Sequence, residues 1–345
     1  MISIIIAIII FSLIIIFHEF GHFIVAKKND VRVEEFCLGL GPTLFGVTKG
    51  ETKYCLKLLP FGGACIMTGE DEDSDDDRAF CNKTVWQRIA IVFAGPFFNF
   101  ILAFILALIL IGFIGYDLPQ VYVSEGSAAA GAGLEDGDII KSIDGTGIHV
   151  YREISNYLVL HPSKVTSTLT VVYERNGEEY TAQVTPQYSE EAGRYLFGVT
   201  SYERTRGNVI SVVGYSLYEV KYWIDLTLNS LRLIFTGGVS LNDVSGPVGI
   251  VSTISTTYNE SVSVSYFAAF INMINIAILL TANLGVMNLL PIPALDGGRL
   301  LIFIIELIRR KKMNPDHEGM INFVGLIVLL GLMVVIMAHD IYKLF

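Results

Sequence analysis

Residues 14 to 23 read IIIFHEFGHF, placing His18, Glu19 and His22 inside a run of aliphatic and aromatic side chains. Ionisable groups in hydrocarbon are expensive, so three within one turn call for a chemical reason. On a helix the four-residue spacing puts His18 and His22 on one face, where both rings reach a single Zn²⁺. Glu19 is then close enough to act on a water acidified by the metal without being a ligand, which is the HExxH logic of metal-assisted peptide hydrolysis.

A catalytic zinc takes three protein ligands and keeps one position open. The third candidate is Asp296, in NLLPIPALDGG at 288–298. His18 lies toward the inner end of the first apolar run and Asp296 just past the apolar core of the third, so all three candidates come out in the cytoplasmic half of a bilayer. Pro291 and Pro293 break the helix there and leave backbone groups free to pair with substrate or water.

These residues need a membrane scaffold, and the composition supplies one. Of 345 residues 52% are hydrophobic, and the mean hydropathy is +0.55. Apolar runs at about 4–26, 89–115, 266–290 and 319–338 are each long enough to span a bilayer. The first lacks the basic start and small-residue cleavage site of a signal peptide and is expected to stay in the mature chain. Lys27, Lys28 and Arg32, then Arg78, Lys83 and Arg88, flank the first loop, and RRKK at 309–312 lies in the last. The positive-inside rule therefore puts both short loops in the cytoplasm and both termini outside. The net charge of −10 comes largely from EDEDSDDD at 70–77, read as a solvated loop. Cys37, Cys55, Cys65 and Cys81 form no CxxC pair and are expected to be free thiols in a reducing compartment. No nucleic-acid partner is expected.

Four segments follow: a membrane part at 1–118, a soluble domain at 119–200, a linker at 201–264 and a second membrane part at 265–345. Strand-like stretches on either side of TKGE, around Gly50, predict a β-hairpin against the membrane. Within 119–200, AGLEDGDIIKSIDG and a hairpin around Asn176-Gly177 resemble a PDZ domain, a fold that takes extended peptides onto a strand edge. The stretch 208–236 predicts an amphipathic helix on the outer membrane surface, with a fifth span as the alternative. The fold class is thus a polytopic α-helical membrane protein with a membrane-associated β-hairpin and an inserted extracytoplasmic PDZ domain. His149, His161 and His339 have no partner at ligand spacing. DHE at 316–318 reads as a helix start with acidic residues favoured by the dipole, and AGP at 94–96 as a site of close packing and bending.

HExxH in the first span, FAGPFFNF in the second, a PDZ-like insertion, VSGPVGI before the third and NLLPIPALDGG in it occur in that order. The chain resembles the site-2 protease family of intramembrane zinc metalloproteases, most closely the bacterial RseP and RasP type with a single PDZ domain. The resemblance implies that His18, His22 and Asp296 hold zinc, that Glu19 is the catalytic base, and that Asn283 and Asn288 bind the substrate backbone. It implies a hairpin at 31–67 that receives substrate as an extended strand. It also implies single-span membrane substrates, anti-sigma factors already cut outside the membrane or remnant signal peptides, with the PDZ domain as size filter or reader of a new carboxyl terminus. A non-catalytic membrane scaffold that binds client helices through its PDZ domain is the alternative, against which the retained Glu19 argues.

Overall fold

The computed structural model describes residues 2–70, 72–237, 245–313 and 315–343. Val244 of VSGPVGI and the side chain of Asp316 lie outside the described residues. The contacts divide the chain into two compact units, Met1–Leu106 with Leu241–Phe345, and Ala107–Ser240.

In the first unit, helix α1 (Ile2–Lys28) is followed by β1 (Val33–Lys49), β2 (Thr52–Met67) and α2 (Val85–Ile114). Isoleucine-rich sequence is a mediocre helix former in water. In lipid every backbone group must be satisfied within the segment, and the helix is the way to do that. Pro96 inside α2 forfeits one such bond, to the carbonyl four residues back.

The expected hairpin is present, but each of its strands bends. Cys37 pairs with both Ala64 and Cys55, and Leu38 with both Gly63 and Leu56, while Val47 pairs with Tyr54. The result is a curled meander in which 45–48, 53–56, 35–38 and 63–66 lie side by side. Gly39 and Gly62, at φ of +92° and +84°, make the bends that no L-residue would make cheaply. Cys37 and Cys55 are cross-strand partners with Cα atoms 4.5 Å apart and are joined by a disulfide. The expectation of free thiols therefore holds for Cys65 and Cys81 alone; spacing in sequence could not reveal that a bent strand brings the first two face to face. Leu40, Leu44, Phe45, Val47 and Leu56 are exposed on this meander, an apolar surface suited to lipid.

The second unit begins with the end of α2 and continues through β3 (Val121–Val123), α3 (Ala128–Gly131), β4 (Ile139–Ile143), β5 (Thr146–Gly147), α4 (Tyr151–Leu160), β6 (Leu169–Arg175), β7 (Glu178–Val184), β8 (Gln187–Ser189), β9 (Arg194–Leu196) and β10 (Val199–Ser201) to α5 (Val209–Phe235). A four-stranded sheet of order β5-β4-β6-β7 and the pair β10-β3 close with α4 over a core of Val121, Ile140, Ile154, Leu169, Val184 and Phe197, as a PDZ fold requires. Asn176-Gly177 forms the β6–β7 turn, both residues at positive φ. Arg152 of α4 is paired with buried Glu219 of α5 and stacks on Tyr222, so α5 is docked through its polar face.

The chain returns to the first unit with α6 (Pro247–Val264), α7 (Tyr266–Asn288), α8 (Asp296–Arg309) and α9 (Pro315–Lys343). The sequence predicts loop after the amphipathic stretch, but 247–264 is helical, started by Pro247 at the first turn. Among the described residues, four helices are long and apolar enough to cross a membrane: Ile2–Lys28, Val85–Ile114, Tyr266–Asn288 and His317–Lys343. The third ends at Asn288, so Asp296 opens a separate helix rather than ending the span. The turn between folds back closely enough that a Cβ on Gly297 would lie 2.2 Å from the Leu290 carbonyl oxygen, which explains glycine after the aspartate. Arg88 of α2 and Glu306 of α8, both buried, form an ion pair that anchors α8.

Candidate metal centre

Helix α1 presents His18 and His22 one turn apart, and α8 brings Asp296 to them. His18 Nε2 lies 3.2 Å and His22 Nε2 3.5 Å from Asp296 Oδ2, and the two Nε2 atoms are 3.3 Å apart. Two ligand atoms each about 2.0–2.1 Å from a tetrahedral zinc stand about 3.3 Å from one another. The three donor atoms thus form the face of a tetrahedron of the right size. Asp296 Oδ2 is buried with no hydrogen-bond partner, as a ligand oxygen would be, and two imidazoles with one carboxylate suit zinc chemically. Among the described residues, one other group of His, Cys, Asp and Glu is as tight, Glu35 with Cys37 and Cys55, and its sulfurs are already bonded to each other.

One stripe of α2 supports the imidazoles. Ile91, Gly95 and Asn99, each four residues apart, face α1. His22 Nδ1 donates to the Ile91 carbonyl at 2.9 Å. A Cβ on Gly95 would stand 2.3 Å from His22 Nε2 and 2.9 Å from His18 Cε1. Asn99, wholly buried, places its amide 3.1 Å from His18 Nδ1. The expected close packing at AGP is therefore packing against the imidazoles themselves. Sequence reading gave Asn99 no role, although an amide in an apolar span was a signal of the same kind as the HExxH histidines.

A cavity of about 820 Å³ opens from this point. It runs from buried His18 and His22 past Glu19 to exposed Glu34 and Glu72, giving water a route to the centre. One wall is the last segment of the meander, Ala64 to Thr68. Among the described residues that segment is an edge, since 63–66 pairs with 35–38 on one side only. Gly63 lets it run against α1, since a Cβ there would stand 2.7 Å from Glu19 Cγ. Burial pushes the Cys65 thiol well above its ordinary value. Asn288 lines the cavity, whereas Asn283, about 140° further round α7 at 100° per residue, is not among its walls. The acidic loop contributes more than solvation at its first residue, because Glu70 pairs with Arg299 of α8 on the cavity wall. His149 and His161 stack instead on Tyr218 and Tyr157.

Comparison of the sequence with a family model and with relatives points the same way. A model described as Peptidase family M50 matches residues 6–332. A protein of Clostridium acetobutylicum is 38% identical over 340 residues, covering 98% of this chain and 97% of its own. The Regulator of sigma-W protease RasP of Bacillus subtilis is 30% identical over 424 residues, covering 98% of each. Among solved structures, the PDZ domain of the SdrC-like protein of Listeria monocytogenes covers 26% of this chain at 25% identity and a TM-score of 0.21.

Proposed function

This chain belongs to peptidase family M50, the site-2 protease family, and is a multi-pass membrane zinc metalloendopeptidase; from that premise we propose that it hydrolyses peptide bonds within or beside the transmembrane helix of single-span proteins, at a centre on the cytoplasmic side. The observation that carries this reading is the triangle of His18 Nε2, His22 Nε2 and Asp296 Oδ2 in a cavity that also holds Glu19.

His18, His22 and Asp296 hold zinc in this reading, and bound zinc supplies Lewis-acid polarisation and a more acidic water. Glu19 takes a proton from water and delivers it to the leaving amine, a contribution of about 10²–10⁴-fold. The free edge at Gly63–Met67 takes the substrate as an added strand, which unwinds the helix and exposes the scissile amide. Asn288 holds the unwound backbone by donating and accepting at once. Since the Bacillus relative is named for sigma-W regulation, anti-sigma factors trimmed outside the membrane are the proposed substrates, with remnant signal peptides as a second group. Both termini then face outward, and the PDZ domain lies outside as a size filter or as a reader of a new carboxyl terminus.

Cleavage of tagged single-span proteins by detergent-purified wild type and Glu19→Gln, with zinc per chain measured on both, tests the reading. Wild type should cleave and the variant fail at equal zinc content. A zinc-loaded wild type that cuts none of several single-span proteins would favour a client-binding scaffold instead.

A further inference from the structure

We propose that Asn99 is a positioning residue: its amide oxygen accepts the Nδ1 proton of His18 and thereby makes Nε2 the nitrogen that donates to the metal. The inference rests on the reading that His18 is a ligand through Nε2, and it concerns a residue on the neighbouring helix to which that reading assigns nothing.

A neutral imidazole has one proton for two nitrogens, and the one that keeps its lone pair for a metal leaves the proton on the other. For His22 the choice is made by the backbone. The Ile91 carbonyl, 2.9 Å from Nδ1, can only accept, so the proton sits at Nδ1 and Nε2 is bare. For His18 the facing group is the Asn99 amide, which can donate or accept. Its Nδ2 end stands 3.1 Å from Nδ1, while Oδ1 is buried without any hydrogen-bond partner. The two ends of an amide fill nearly the same volume, and a half-turn about the last side-chain bond exchanges them. With Oδ1 toward His18 the orphaned acceptor and the buried Nδ1 proton satisfy each other. With Nδ2 there, Nδ1 has to accept and the proton moves to Nε2, the atom 3.2 Å from Asp296 that the metal needs. Thr281 Oγ1 donates to the Asn99 backbone carbonyl at 3.1 Å, a bond that either orientation of the side-chain amide leaves unchanged.

Zinc affinity of the detergent-purified full chain, measured by competition with a chromophoric chelator, tests this. Asn99→Leu keeps the volume and removes the acceptor, and should weaken zinc binding about 10–100-fold, the usual range for losing such a partner. Asn99→Asp retains an acceptor and should recover most of that affinity. Thr281→Val disturbs the packing of the same turn without touching the amide and should bind zinc as wild type does. Equal losses in the Leu and Asp variants, or a loss in Thr281→Val matching that of Asn99→Leu, would reduce Asn99 to a packing role and overturn the proposal. So would wild-type affinity in Asn99→Leu when His18→Ala releases zinc. Wild-type affinity in His18→Ala would instead overturn the ligand reading beneath it. Each variant's unfolding midpoint, read alongside, confirms that affinity is compared between folded proteins.

Discussion

Gly95 of α2 lies so close to His22 of α1 that a single added methyl would stand 2.3 Å from Nε2, well inside van der Waals contact. The atom displaced is the one that faces Asp296. Since misplacing a reacting group by about 1 Å can cost about 10²-fold, Gly95→Ala should lose most of its zinc and at least that factor in cleavage. Its fold should survive, because the helix accepts alanine readily. Zinc per chain together with a cleavage assay checks it, and full zinc with full activity would mean that α1 and α2 can part without consequence.

The Arg88–Glu306 pair lies at the other end of the same support. Both side chains are about 4% exposed, the guanidinium sits 4.6 Å over the Phe303 ring, and Glu306 Oε1 also accepts from the Met313 N–H at 2.7 Å. Removing one partner strands a buried charge, at a cost of about 3–5 kcal/mol, whereas replacing both with apolar residues of similar size is often neutral. Arg88→Met should therefore lower the thermal midpoint in detergent sharply, and the double variant Arg88→Met/Glu306→Met should restore it. If the double variant were as unstable as the single one, Arg88 would matter through its stacking on Phe303 rather than through its charge.

Much of the candidate centre is legible in the sequence, because hydrocarbon makes polar residues conspicuous: HEFGH, Asp296 and the break at Pro291 and Pro293 stand out against apolar spans. What escaped was whatever depends on which backbone passes close by. The Ile91 carbonyl carries no side-chain signature, and Gly95 has the same letter as a glycine used for packing. An apolar run does not announce where its helix stops, so the sequence puts Asp296 at the end of the third span; the tight turn at 289–295 separates the two. The sequence predicts a plain hairpin where the chain forms a meander, since alternation along a strand reports faces and not bends. The bends at Gly39 and Gly62 bring Cys37 to Cys55, a pairing invisible to spacing. Helix α6 was missed because its serines and threonines, weak helix formers in water, mask a helical stretch.

That pairing gives a direct test. Alkylation of protein denatured without reductant should label two cysteines, Cys65 and Cys81, and after reduction all four. Cys65, whose thiol burial keeps protonated, should resist labelling until the protein is unfolded. Four labelled thiols without reductant would remove the cross-link from the meander, as a cytoplasmic location for this loop would favour.

The turn between β1 and β2 is pinned by Glu51, which takes both Arg78 and Lys27 as partners. The hydrogen bonds from Arg78, then Lys27, hold its carboxyl at about 2, below the ordinary 4.5. A depressed carboxylate contributes stability that is fully present above its unfolded value and is lost as pH falls through its folded one. The difference in unfolding midpoint between wild type and Glu51→Gln should therefore be constant above about pH 5.5 and narrow progressively from about 4.5 toward 2. It should also shrink in high salt, because Glu51 is 29% exposed and solvent screens the pair. A gap that stayed constant down to pH 3, or that narrowed only on raising the pH, would show that this turn is held by its backbone pairing and not by the Glu51 carboxylate.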